Sequence, residues 1–197
     1  MGTRISPPES RRRGVRTILV VDDSRTNLNV MGARLGQTGA LVVLCDNGRE
    51  ALDLISGRGF DLVLLDMMMP AMSGVEVLTE IRAAPSTADM PVIMLTARSD
   101  SEAAVTALSA GADDYVAKPF DFDVLHARIE RTLNRAARVA ELKRAVAALD
   151  ARIAARAIEL GEARTELAIN RADRSRLVQS IQSLNAQVEA LSANDSY

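Results

Sequence analysis

The sequence predicts an α/β domain, a doubly wound five-stranded parallel sheet, extended by a long C-terminal α-helix. Three observations carry this reading. Short β-branched and aliphatic runs recur at 17–21, 41–45, 61–65, 91–95 and 114–117. Between them lie segments with helical apolar spacing, such as Leu28, Met31 and Leu35, or Val75, Leu78 and Ile81. Residues 136–193 then hold no proline, no aromatic residue and one glycine, and are rich in Ala, Arg, Glu and Leu. Strands that alternate with helices pair in parallel through crossovers, and the helices cover both faces of the sheet.

Along the chain, residues 1–15 carry Pro7-Pro8 and clustered arginines and read as a disordered basic leader. The first run ends in Asp22-Asp23, and the helix after it is marked by Leu28, Met31 and Leu35. Cys45 closes the second run and reads as a small buried thiol. Gly57 and Gly59 punctuate the way to the third run, which leads into Asp66. Pro85 separates the next helix from the fourth run, which leads into Thr96. Gly111 precedes the fifth, which leads into Lys118-Pro119, a candidate cis bond. A last helix from Asp121 closes the domain, giving a leader 1–15, a domain 16–137 and a helical tail 138–197.

The tail has a heptad pattern. One seam series reads Val139, Val146, Ile153, Leu160, Leu167, Arg174, Ile181 and Val188. The other reads Leu142, Leu149, Arg156, Ala163, Asn170, Leu177, Leu184 and Leu191. Mostly β-branched residues at the first and leucine at the second favour two parallel strands, a homodimer through residues 139–191. Glu159 would then face Arg164 of the second copy and Glu166 would face Arg171, each exposed pair contributing about 0–1 kcal/mol. A straight helix of this length would reach about 80 Å. An antiparallel hairpin folding back near Gly161 or Asn170 is the alternative.

Charge is uneven. Residues 1–15 hold four Arg and one Glu, residues 16–137 hold 11 basic and 17 acidic residues, and residues 138–197 hold nine and eight. No broad basic face is offered to nucleic acid. A single cysteine allows no internal disulfide, and no apolar stretch is long enough for a membrane span or signal core, so a cytoplasmic protein is expected. His126 is the sole histidine and reads as a packing or solvent-facing residue. Three adjacent methionines, Met67 to Met69, read as filling irregular space rather than binding metal.

The chemistry lies at the ends of the runs. In a parallel sheet those ends lie side by side, so Asp22, Asp23, Asp66, Thr96 and Lys118 converge on one edge. Three carboxylates there repel one another unless a cation offsets them. A hard divalent ion such as Mg²⁺ takes oxygen ligands and needs one or two direct carboxylates. One carboxylate remains to react with phosphate, with the amine and hydroxyl placed to hold phosphoryl oxygens.

Together, Val20-Val-Asp-Asp23, Leu65-Asp-Met-Met-Met-Pro70 with Gly74, Leu95-Thr-Ala97 and Gly111-Ala-Asp-Asp-Tyr-Val-Ala-Lys-Pro-Phe120 resemble the receiver domain of two-component response regulators. The resemblance covers 16–137 and implies the CheY-like fold. It implies that Asp66 accepts phosphate from a sensor histidine kinase or phosphotransfer protein. It assigns Mg²⁺ to Asp22, Asp23, Asp66 and the Met68 backbone carbonyl, phosphoryl binding to Thr96 and Lys118, and the switch to Thr96 and Tyr115. Met68 and Arg98, each two residues beyond a site residue, lack a group to orient a hydrolytic water, so a phosphorylated state of minutes is expected. Such a domain modifies itself and is not a turnover enzyme. No helix-turn-helix, cyclase or hydrolase signature follows, so the expected output is protein–protein contact through the tail, whose end at Asn194-Asp-Ser-Tyr197 reads as a fray. The other readings are the regulatory half of a larger output enzyme, such as a diguanylate cyclase, and a phosphate-sink adaptor.

Overall fold

A computed structural model describes residues 14–97 and 101–194, and the side chains of 102–186 within the second stretch. The leader, apart from Gly14 and Val15, and Arg98 lie outside the described residues, as do the last three of the chain and the side chains of Val188 and Leu191. Five strands alternate with five helices: β1 (Thr17–Val21), α1 (Arg25–Gln37), β2 (Leu41–Cys45), α2 (Gly48–Gly57), β3 (Leu62–Asp66), α3 (Gly74–Ala83), β4 (Val92–Thr96), α4 (Ser101–Ser109), β5 (Asp114–Ala117) and α5 (Phe122–Asn194). The strands form one parallel sheet in the order β2-β1-β3-β4-β5. The order reverses beside β1, and ligands of such sheets bind outside the strand C-termini at that point.

Successive residues of β1 point to opposite faces and enter different apolar clusters. Leu19 and Val21 pack with Ala51 and Ile55 of α2 and Val77, Leu78 and Ile81 of α3. Ile18 and Val20 pack with Leu28, Met31 and Leu35 of α1 and Leu125, Ile129 and Leu133 of α5. The covered strands β3 and β4 are buried throughout, as continuous apolar runs in a parallel sheet should be.

Two strands begin one residue later than their apolar runs. Asp61 accepts from the Thr17 backbone N–H through its carboxylate at 2.8 Å, and its own N–H reaches the Thr17 carbonyl at 2.8 Å. It therefore tethers the entry to β3 rather than joining the ladder. Pro91 has no N–H to give, so β4 begins at Val92. Helix starts follow local polar chemistry: Ser24, Asn47 and Ser73 cap α1, α2 and α3, and Ser73 forms a reciprocal capping box with Glu76.

At the opposite end of the sheet from the carboxylates, Arg82 ties together two connections, α3 to β4 and α4 to β5. Its guanidinium donates to the carbonyls of Gly111 at 2.9 Å, Ala88 at 3.1 Å and Met90 at 2.7 Å, and to the Asp113 carboxylate at 3.0 Å. Asp113 in turn accepts from the Val92 N–H at 2.9 Å. Losing a charged donor shared by four acceptors costs about 2–3 kcal/mol. Arg82→Ala is therefore expected to lower the melting temperature by roughly 6–9 °C in scanning calorimetry. A shift under about 2 °C would show that water replaces the clamp.

The chain divides into two compact units, Met1–Ala140 and Glu141–Tyr197. The second is helical, and α5 runs through Gly161 and Asn170 without a break, so the chain does not fold back there as a hairpin. Its seam residues Leu142, Val146, Leu149, Ile153, Leu160 and Leu167 are exposed in the single chain.

Candidate functional site

The strand ends bring Asp22, Asp23 and Asp66 together. One ligand oxygen from each lies within 4.8 Å of the others. β3 delivers Asp66 as its last residue, 6 % exposed, while Asp22 follows β1 and is 1 % exposed. Asp23 is exposed and makes no side-chain hydrogen bond or ion pair among the described residues.

β5 and the cis Lys118–Pro119 bond bring the amine across the sheet. Lys118 Nζ lies 2.6 Å from Asp22 Oδ2 and 3.1 Å from Asp66 Oδ1. It is nearer to Asp22 than to the carboxylate expected to react. Burial pushes the Asp66 pKa up, Lys118 opposes that shift, and Asp22 and Asp23 add to it. The net direction is upward, so the carboxylate holds a proton more readily than an ordinary aspartate.

Thr96 ends β4 one residue beyond Leu95, the register partner of Asp66, and is 1 % exposed. Tyr115 on β5 is half-buried against the apolar cluster on the α2–α3 face. The three methionines divide: Met69 is buried, Met67 packs partly against the core, and Met68 is 65 % exposed. Met68 therefore does not fill interior space, because its place in the loop leaving β3 turns it to solvent. Cys45 is buried, its thiol donating to the Asn47 carbonyl at 3.1 Å, and burial raises its pKa. His126 is half-buried with Nδ1 lacking a partner, away from the carboxylates.

Two residues of the site were not read from the sequence. Asn27 in the first turn of α1 donates through Nδ2 to both oxygens of Asp22, at 3.0 and 3.1 Å. The Ser24 backbone N–H donates to Asp22 Oδ1 at 2.9 Å. Ser24 as N-cap accepting from the Asn27 N–H was the available signal, since it places the Asn27 side chain one turn above Asp22.

A cluster of three carboxylates with one solvent-facing member suits a hard cation that keeps several waters, as Mg²⁺ does. Among the described residues no helix is long and apolar enough to cross a membrane.

Residues 18–130 match the family described as the response regulator receiver domain. The response regulator MprA of Mycolicibacterium vanbaalenii is 44 % identical over 118 residues, which are 60 % of this chain and 50 % of that protein. The transcriptional regulatory protein ZraR of Escherichia coli O157:H7 is 45 % identical over 116 residues, 59 % of this chain and 26 % of its own length. This chain thus spans half or less of these curated relatives. Among solved structures, a putative response regulator from Chloroflexus aurantiacus aligns with TM-score 0.60 at 33 % identity, covering 61 % of this chain and 99 % of its own. The chemotaxis protein CheY4 of Vibrio cholerae aligns with TM-score 0.58 at 28 % identity, covering 60 % and 99 %.

Proposed function

Because this chain belongs to the response regulator receiver domain family, we propose that it is a phosphorylation-controlled signalling protein whose phospho-acceptor is Asp66. The observation that carries this is the cluster of Asp22, Asp23 and Asp66, with ligand oxygens within 4.8 Å and Lys118 bridging Asp22 and Asp66. Asp66 attacks the phosphorus of a phosphohistidine on a sensor kinase or phosphotransfer protein. The P–N bond breaks, a P–O bond to the carboxylate forms, and the imidazole leaves and takes a proton. Lys118 and Thr96 hold phosphoryl oxygens. Asp23, Asp66 and the Met68 carbonyl would hold Mg²⁺, with Asp22 acting through water; the ion would neutralise charge on the phosphoryl group. The chain modifies itself and does not turn over a substrate.

The organisation proposed is a leader 1–15, a receiver domain 16–137 and a tail 138–197, working in the cytoplasm. Movement of Thr96 and Tyr115 toward a phosphorylated Asp66 would change the β5 and α5 surfaces and reach the tail through α5. The relatives named as transcriptional regulators are longer than this chain. Here residues 138–194 are helical, with an exposed apolar seam among the described side chains, which supports output by protein–protein contact.

Two experiments test this reading. Incubation with acetyl phosphate and Mg²⁺ should add one phosphoryl group, mapped to Asp66 by peptide mass spectrometry; an unmodified protein would reject it. Light scattering should give a dimer with and without beryllofluoride and Mg²⁺, the coil joining the chains in both states. Ile153→Asp puts a charge into the seam and should shift dimer dissociation to at least a hundredfold higher concentration, about 2.7 kcal/mol. A parent that stays monomeric at micromolar concentration, or an unaffected variant, removes the coil from the proposal.

A further inference from the structure

Resting on the reading of Asp66 as phospho-acceptor, we infer that Asn27 is a positioning residue that keeps cation affinity low by occupying Asp22. A carboxylate has about four acceptor sites. Those of Asp22 are taken: Oδ1 by the Ser24 N–H at 2.9 Å and Asn27 Nδ2 at 3.0 Å, Oδ2 by Asn27 Nδ2 at 3.1 Å and Lys118 Nζ at 2.6 Å. The group is 1 % exposed, so bulk water does not replace a lost donor at small cost, and a cation-bound water reaches Asp22 only at the Oδ2 position that Lys118 vacates. Asp23 is exposed and makes no side-chain hydrogen bond or ion pair among the described residues, and Asp66 pairs with Lys118 at 3.1 Å. The three carboxylates therefore divide. Asp23 and Asp66 face a cation directly, while Asp22 is satisfied by protein donors.

That division has two consequences. When Lys118 turns to a phosphoryl oxygen, Asp22 keeps three of its four donor contacts, so Asn27 lets the lysine leave. And a cation competing for Asp22 must displace Asn27, whose Nδ2 makes a forked contact to both oxygens of a buried charge and opposes it. Without Asn27, Asp22 becomes an under-satisfied buried anion within 4.8 Å of two others, and a divalent ion bridging all three is the best replacement donor.

The test is calorimetric titration of Mg²⁺ into the full chain and into Asn27→Leu, which keeps the side-chain size. The variant is expected to bind Mg²⁺ roughly tenfold more tightly, the equivalent of one hydrogen bond to a charged group. It should melt below the parent in chelator, with the gap narrowing as Mg²⁺ is added. A role only in supporting α1 would lower the melting temperature and leave Mg²⁺ affinity unchanged or weaker, and that result overturns the inference. Should Asn27→Leu not fold, Asn27→Ser, too short to reach both oxygens, is read by the same criterion. A parent that neither binds Mg²⁺ nor is labelled by acetyl phosphate overturns the functional reading itself. A parent that does both, beside a variant of equal or lower affinity, overturns only the role of Asn27.

Discussion

Asp66→Asn is expected to abolish phosphoryl labelling by acetyl phosphate while raising the stability of the fold at neutral pH. The first effect is chemical: an amide is not a nucleophile toward phosphorus, and the other buried carboxylate at the edge, Asp22, is occupied by Asn27, the Ser24 N–H and Lys118. The second follows from charge. Burial raises the Asp66 pKa, and Asp22 and Asp23 push it further up, against Lys118. A folded-state pKa above the unfolded value means that the ionised group opposes folding. The penalty is absent below the unfolded pKa and grows as pH rises through the folded one. Asparagine removes it, and Lys118 is not orphaned because Asp22 remains 2.6 Å away. Melting of the two proteins in Mg²⁺-free buffer should therefore diverge by a few degrees near pH 7 and converge in acid. A variant less stable than the parent at pH 7 would mean that the Asp66–Lys118 pair outweighs desolvation and repulsion.

How far the sequence foretold this site depends on the length scale of each interaction. Asp22, Asp66, Thr96 and Lys118 were legible because each stands at the end of an apolar run, and parallel pairing turns run ends into neighbours. Asn27 escaped because an amide in the first turn of a helix is ordinary in sequence; only the cap at Ser24 and the burial of Asp22 give it meaning. Arg82 escaped for a different reason. Its partners Gly111 and Asp113 lie 29 and 31 residues away and are mostly backbone carbonyls with Ala88 and Met90, which carry no side-chain signature. The tail shows the opposite limit. Its periodicity announced a helix and an apolar seam, since both are local properties, but what covers that seam is decided between molecules.

Gly74→Ala is the substitution expected to damage both fold and site most for a single added methyl. Gly74 opens α3, and its N–H donates to the Met67 carbonyl at 3.1 Å. A Cβ there would run into the carbonyl oxygen of Asp66 and sit 2.9 Å from its carbonyl carbon and 3.1 Å from Met67 Cα. All three obstacles are backbone, so no rotamer change relieves them. Either the end of β3 moves or the first turn of α3 unwinds, at a cost of at least about 3 kcal/mol. The displaced residue is the proposed phospho-acceptor, and a shift near 1 Å at a reacting centre costs about 10² in rate. Gly36→Ala supplies the contrast: it lies in α1 with nothing within 4 Å of its added Cβ. It should be neutral or stabilise by about 0.5–1 kcal/mol. Scanning calorimetry and initial labelling rates on both variants separate the two positions. If Gly74→Ala labels within about threefold of the parent, the close approach of α3 to β3 does not hold the carboxylate in place, and Asp66 is positioned by the sheet alone.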